Sequence, residues 1–535
     1  MVEEFDLVIK NGRIVDGTGV PWFKGDIAVK NGKIAKIGKI KEKGEIEIDA
    51  AGKVVSPGFI DLHNHSDLTI LAYPDAESYI MQGVTTAVVG NCGISMAPLN
   101  PDKVDLLKRY VSPFLAKGFD YGWDWRTLNE FYKKVEKQGT TMNLAPLVGQ
   151  GTVRLAVKGF DPDKPSKEEL DEMKALVAQA MEEGAFGMST GLIYPPGSYA
   201  TTEEIIELAK VAAEYGGIYT THMRNEGKRL IEAVEEAIRI GEEAGIPVEI
   251  SHHKASGKPN WGKVCATLRL MERARKRGVE VSCDVYPYTA GSTTITALLP
   301  NWVLEGGVDK MLERLKDRKI REKIKQEIEE DRVVGENFLK AAGWDGVLIS
   351  QCSIEKYEGK TLEQILKEKG TIDNPYDGLF DWLIEIKGDA AMVLFLMDEE
   401  DVKWVLSNPL SSVISDSWVT APYAGGKPHP RAYGTFPRVL GKYVREEGLL
   451  SLEEAIRKMT SQPAGKIRLQ DRGLLREGFW ADIVIFDPET IRDRATYQNP
   501  HQYPEGIEYV IVNGEIVVER GKLTGKRPGK ILKRH

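Results

Sequence analysis

Apolar residues along this chain fall into short unbroken runs, and after most of them apolar positions return every three or four residues. The runs occupy 54–62, 85–92, 144–149, 185–192, 218–222, 247–252, 279–286 and 412–416. Runs of this length without polar alternation are expected of strands buried on both faces, and the 3.6-residue period between them of helices packed outside. The stretch 228–243 is the clearest such helix. Strand and helix alternate through the first seven runs. The fold class expected is therefore α/β, a closed parallel (β/α)8 TIM-like barrel over 57–469. In that architecture the C-terminal ends of the strands share one rim, where catalytic groups gather.

The two ends follow another rule. Val8-Ile9-Lys10-Asn11-Gly12-Arg13-Ile14-Val15, Ala28-Val29-Lys30-Asn31-Gly32-Lys33-Ile34 and Ile511-Val512-Asn513-Gly514-Glu515-Ile516-Val517 each set Asn-Gly between β-rich runs. Both residues tolerate the positive φ of a type I′ turn, so three hairpins are expected. The shared pattern assigns 1–56 and 470–535 to one small β-sandwich domain. Between the seventh and eighth runs the chain is too long for a single helix and carries the charge-rich segment 312–332. A solvated helix face is expected there, within an insertion over 289–348 that forms a candidate lid near the barrel mouth.

Candidate chemistry concentrates at the run ends. His63 and His65 close the first run, and alternate strand residues share a face, so the two imidazoles project together. Cys92 ends the second run, His222 the fifth and His252 the sixth. Imidazole is the usual ligand of zinc, iron or nickel, and thiolate adds to it. One histidine at one strand end is more often hydrogen-bonded structure; four with a thiol on one rim read as a metal site. His253 competes with His252, because adjacent strand residues face opposite sides, and alternation alone does not choose between them. Asp416 ends the eighth run and brings a carboxylate able to pass a proton from a metal-bound water to a leaving group.

Composition narrows the class. With 535 residues, 42% of them apolar, the chain has room for a barrel and an accessory module. A net charge of -8 with interspersed signs argues against a nucleic-acid partner. No stretch approaches the ~20 consecutive apolar residues of a membrane span. Met1-Val2-Glu3-Glu4-Phe5 lacks the basic start and apolar segment of a signal peptide, so a cytoplasmic protein is expected. The four cysteines, Cys92, Cys265, Cys283 and Cys352, form no Cys-x-x-Cys pair, which argues against a disulfide framework.

At these residues the chain resembles the amidohydrolase superfamily and, within it, the D-aminoacylase (N-acyl-D-amino-acid deacylase) family. The resemblance is carried by Gly90-Asn91-Cys92-Gly93, Gly191-Leu192-Ile193-Tyr194-Pro195-Pro196-Gly197, Thr221-His222-Met223-Arg224 and Ser251-His252-His253-Lys254. It continues through Asp284-Val285-Tyr286-Pro287-Tyr288 and His429-Pro430-Arg431-Ala432-Tyr433-Gly434-Thr435-Phe436. The resemblance implies one tight zinc site at Cys92, His222 and His252, and a weaker second one at His63 and His65 bridged by Cys92. It selects His252 over His253. It also implies Asp416 as the proton carrier, and substrate contacts from Tyr194, Lys254, Tyr286, Ser292 and Arg431. Arg431 suits an α-carboxylate, which a planar guanidinium binds through two parallel hydrogen bonds. His429, between two prolines, is expected to shape that loop and not to bind metal.

The implied activity is zinc-dependent hydrolysis of an N-acyl-D-amino acid, or of a D-dipeptide, to a carboxylate and a free D-amino acid. Two other readings compete. A cyclic-amide hydrolase of the hydantoinase or dihydroorotase kind would usually carry a lysine on the fourth strand, and Ala185-Phe186-Gly187-Met188-Ser189-Thr190 has none. A non-catalytic assembly protein on the same fold would tend to lose ligands that this chain keeps.

Overall fold

The computed structural model describes residues 5–534. Met1–Glu4 and His535, the outermost residues of the expected small domain, lie outside the described residues. Eight parallel strands form the barrel: Phe59–Asp61, Val84–Val89, Asn143–Pro146 continued by Val148–Gly149, Gly187–Gly191, Ile218–His222, Val248–Ile250, Val281–Val285 and Ser411–Val413. Closure between the first and eighth strands occurs just past their ends. There the Asp416 amide donates to the His63 carbonyl at 3.0 Å and the His65 amide to the Ser417 carbonyl at 2.8 Å. The seam of the barrel is thus built from the residues of the rim itself.

The first apolar run is two strands rather than one. Val54–Pro57 pairs antiparallel with Ile483–Phe486 in the small domain, while Phe59–Asp61 opens the barrel. Gly58 separates them, and a Cβ there would stand 2.2 Å from Thr85 Oγ1. Both halves are fully buried, so unbroken apolarity could not reveal the break.

Strands from both chain ends share one nine-stranded sheet, in which Val54–Pro57 lies between Phe5–Ile14 and Ile483–Phe486. Two of the expected hairpins are present. Asn31-Gly32 joins Phe23–Lys30 to Lys33–Gly38, and Asn513-Gly514 joins Ile507–Val512 to Glu515–Glu519, with positive φ at all four turn residues. Asn11-Gly12 is different. Phe5–Ile14 is one continuous strand, and Asn11 (φ 60°) sits where its register against Phe23–Lys30 shifts, which is a bulge and not a turn. A side chain at Gly12 would meet Val55 at 2.6 Å, so the bulge allows close packing on the next strand.

The insertion is longer than 289–348. Its three-stranded antiparallel sheet takes Ala290–Thr294, Val347–Cys352 and Ala390–Phe395, the last pairing with both others. The apolar run of Ala390–Phe395 therefore completes the insertion, and the next helix, Glu399–Ser407, leads to the eighth barrel strand. The charged helix Arg318–Glu329 buries Ile324 and Ile328 and exposes most of the rest, as a solvated face does. The chain's last segment also departs from the small domain. Leu144 donates to the Lys530 carbonyl at 2.9 Å, and Arg534 to that of Gly184 at 3.0 Å, so the tail packs along the third and fourth barrel strands. No helix among the described residues is long and apolar enough to cross a membrane.

Candidate metal and substrate site

Turns at the strand ends aim the rim residues inward. Cys92 (φ 50°), His252 (φ 36°) and Asp416 (φ 52°) all adopt the left-handed region. Each such non-glycine conformation costs about 1–3 kcal/mol and persists where the surrounding packing enforces it, as at ligand clamps. This answers the His252–His253 ambiguity in physical terms. The sixth strand stops at Ile250, and the turn sends His252 toward the rim while His253 Nε2 lies 2.7 Å from Thr267 Oγ1 on the helix outside.

Cys92 Sγ stands 3.2 Å from His63 Nε2, 3.5 Å from His252 Nε2 and 3.8 Å from His222 Nδ1. Two ligand sets share that sulfur: His63, His65, Cys92 and Asp416, and Cys92, His222 and His252, with the donor atoms of each set within 4.8 Å of one another. Burial pushes the Cys92 thiol well above its ordinary value, and the nearby Asp416 and Glu226 add to this. Burial lowers His222 and His252 well below theirs, and His63 to about 4. Neutral imidazoles, and a buried thiol that needs an adjacent cation to ionise, match the donor set of a zinc site. His63 Nδ1 and His222 Nε2 are buried without a protein hydrogen-bond partner.

Asp416 Oδ1 lies 3.3 Å from both His63 Nε2 and His65 Nε2, and Oδ2 lies 2.9 Å from Arg431 Nη1. Burial alone would raise this carboxyl. The Arg431 guanidinium, with the neighbouring His252 and hydrogen bonds from His63 and His65, instead holds it well below the usual carboxylate range. Asp416 is therefore ionised at neutral pH.

The five residues expected to contact substrate all line one cavity, together with His65, Cys92, His222, His252 and Asp416. Arg431 is 1% exposed, rests on the Tyr286 ring at 4.7 Å and donates to the Ser292 carbonyl at 3.4 Å. Its Nη1 pairs with Asp416, whereas the buried Nε has no protein hydrogen-bond partner and is left to donate to a ligand. His429 holds this arginine in place: Nδ1 accepts from the Arg431 amide at 3.0 Å, and Nε2 donates to the Ala290 carbonyl at 2.9 Å. Tyr194 accepts from Thr293 at 2.8 Å and meets the His222 ring edge-on, and the buried Ser292 hydroxyl has no protein partner.

Two acidic residues of the site were assigned no role from the sequence. Glu226, four residues past His222, binds Lys254 through both oxygens at 2.8 Å. Asp284, at the end of the seventh strand, accepts from the His252 amide and lies 4.0 Å from His63 Nδ1. The only local signal for either was a carboxylate near a strand end, which elsewhere marks ordinary turns.

Residues 47–518 match the amidohydrolase family. The D-aminoacylase of Alcaligenes xylosoxydans xylosoxydans is 37% identical over 538 residues, covering 99% of this chain and 98% of that one. The N-acyl-D-glutamate deacylase of the same organism is 36% identical over 540 residues, covering 100% and 98%. A crystal structure of the N-acyl-D-glutamate deacylase of Bordetella bronchiseptica, in complex with zinc and a phosphonate mimic of the tetrahedral intermediate, superposes with a TM-score of 0.82. It is 34% identical and covers 99% of this chain and 100% of its own. Barrel, β-sandwich and His–Cys rim together are those of a metal-dependent amidohydrolase. This chain belongs to the D-aminoacylase family of that superfamily.

Proposed function

We propose that this protein is a zinc-dependent deacylase of N-acyl-D-amino acids with apolar side chains. The observation that carries the reading is the buried Arg431 fork, 2.9 Å from the Asp416 carboxylate and in one cavity with the His–Cys cluster. Cys92, His222 and His252 would hold the tight zinc, and His63 and His65 with Cys92 a weaker second ion. When bound, such an ion lowers the pKa of a coordinated water toward about 7 and polarises a carbonyl. Arg431 binds the substrate α-carboxylate, with Lys254, Tyr194, Tyr286 and Ser292 completing the anchor. Asp416 takes a proton from the attacking water as its oxygen bonds to the amide carbon. The same carboxyl then returns that proton to the leaving nitrogen as the C–N bond breaks. The D configuration is supported by kinship to D-aminoacylase and N-acyl-D-glutamate deacylase.

The preference for apolar side chains follows from charge accounting. Among the described residues lining the cavity, Lys254 and Arg431 are the only lysine or arginine, and each already faces a carboxylate. Much of the remaining wall is Ile94, Tyr110, Phe114, Phe338, Leu394 and Trp418. A second carboxylate, as in aspartate or glutamate, would be desolvated there without a partner. With zinc supplied, N-acetyl-D-leucine, -methionine and -phenylalanine are expected to be hydrolysed. The D-glutamate and D-aspartate analogues should be slower by about 100-fold, and the L forms inert. Equal turnover of D and L forms, or cleavage of hydantoins in place of linear amides, would overturn the proposal.

Arg431 offers a separate check. A lysine cannot reproduce the bidentate fork, so Arg431→Lys should lower kcat/KM steeply with zinc content unchanged. Converting the substrate carboxylate to a carboxamide should cost the native enzyme a similar factor and the variant little more, because both changes delete one interaction. Additive penalties would mean that Arg431 reads another part of the substrate.

A further inference from the structure

We propose that Asp61 is a positioning residue: its carboxylate fastens the seam between the first and eighth barrel strands and thereby holds Asp416 at the reaction centre. Phe59–Asp61 pairs with Val84–Val89, and Ser411–Val413 with Val281–Val285, but among the described residues no strand ladder joins the first to the eighth. The backbone contacts at His63–Asp416 and His65–Ser417 come past the strand ends. At the seam itself stands Asp61, with none of its surface exposed.

The two oxygens of Asp61 meet four donors drawn from both sides of the seam. Oδ1 accepts from the Ser415 amide at 3.0 Å and the His63 amide at 3.4 Å. Oδ2 accepts from the Ser415 hydroxyl at 2.5 Å and the Asn64 side-chain amide at 2.9 Å. A carboxylate offers about four acceptor positions, so its capacity is filled.

Ser415 directly precedes Asp416, and its hydroxyl is also within reach of the Ser417 amide at 3.2 Å and the Tyr79 hydroxyl at 2.7 Å. Asp416 adopts the left-handed region (φ 52°), a conformation that persists only where the surroundings enforce it. Its carboxylate stands 3.3 Å from two imidazoles and 2.9 Å from Arg431 at once. A small rotation at Ser415 would swing it out of that register, and misplacing a reacting group by ~1 Å can cost about 10²-fold in rate. None of the four donors to Asp61 belongs to the Cys92–His222–His252 set or to Arg431. The effect of losing Asp61 should therefore fall on turnover, with the tight zinc and the carboxylate anchor spared.

Asp61→Asn provides the test, because it keeps the shape and makes one of the two oxygens a donor. That donor then faces either the Asn64 side-chain amide or the Ser415 and His63 amides. In the zinc-loaded variant kcat should fall by about 10- to 100-fold, with zinc content unchanged and KM within about threefold of native. In an Asp416→Asn background the same change should cost less than about threefold more, since both act on one group. Ser415→Ala removes the hydroxyl leg alone and should lower kcat by about 5- to 10-fold with the same spared KM. A crystal structure of Asp61→Asn should show the Asp416 carboxylate displaced from His63 and His65. An Asp416 carboxylate in its native place would overturn the proposal, as would equal losses in both backgrounds, the mark of a merely structural staple. So would native kcat in Asp61→Asn where Asp416→Asn is crippled, or, should Asp61→Asn not fold, native kcat in Ser415→Ala. The expected rates rest on Asp416 as the proton carrier, whereas the displacement does not. Near-native kcat in Asp416→Asn with a displaced carboxylate in Asp61→Asn would sink the proton-carrier reading and leave the positioning role standing.

Discussion

Cys92→Ala is expected to leave purified protein with little or no tightly bound zinc and to reduce turnover by about three orders of magnitude or more. The sulfur is the one atom common to both ligand sets, within 3.8 Å of imidazole nitrogens on three different strand ends. Alanine leaves imidazoles without the anionic ligand that offsets the charge of the ion in a buried site. His63→Asn, by contrast, touches only the His63–His65–Cys92–Asp416 set and should spare the tight ion. Metal content by mass spectrometry, alongside a thermal melt to show that the barrel stands, reads the result. Stoichiometric zinc in Cys92→Ala would refute the shared-sulfur arrangement.

Asp416→Asn should retain the tight zinc yet lose about 10²- to 10⁴-fold in kcat, the usual cost of removing a general acid–base. Asparagine keeps the size and can still face Arg431 and the two histidines, but it cannot accept a proton. Arg431 and the surrounding histidines hold the native carboxyl ionised against the burial that opposes it, so the acceptor form is present throughout the neutral range. The split between unchanged metal and collapsed turnover separates this role from a structural one. Near-native kcat in zinc-loaded Asp416→Asn would place the proton shuttle on another group.

Much of the architecture was legible in one dimension. Eight buried strands need apolar runs, and these persist whatever the neighbours are. Asn31-Gly32 and Asn513-Gly514 turn because their backbone tolerates positive φ. Asn11-Gly12 has the same local preference, but long-range pairing with Phe23–Lys30 and packing on Val55 turn it into a bulge. Likewise, Ala390–Phe395 has the composition of a barrel strand and is claimed by the insertion, because its partners on both sides are antiparallel.

For the candidate site, the chain by itself determined which donors stand at strand ends: His63, His65, Cys92, His222 and Asp416 follow from where apolar runs stop. Tertiary structure decided everything that depends on direction and on distant partners. His252 is distinguished from His253 by a left-handed turn that only the closed rim enforces. The charge state of Asp416 depends on Arg431, fifteen residues further along the chain and brought within 2.9 Å by the loop that His429 holds. Glu226, Lys254 and His252 form one unit because two neighbouring barrel strands end side by side. Periodicity records which residues must be buried, whereas hydrogen-bond direction and proton placement are set by atoms that meet only after the barrel closes.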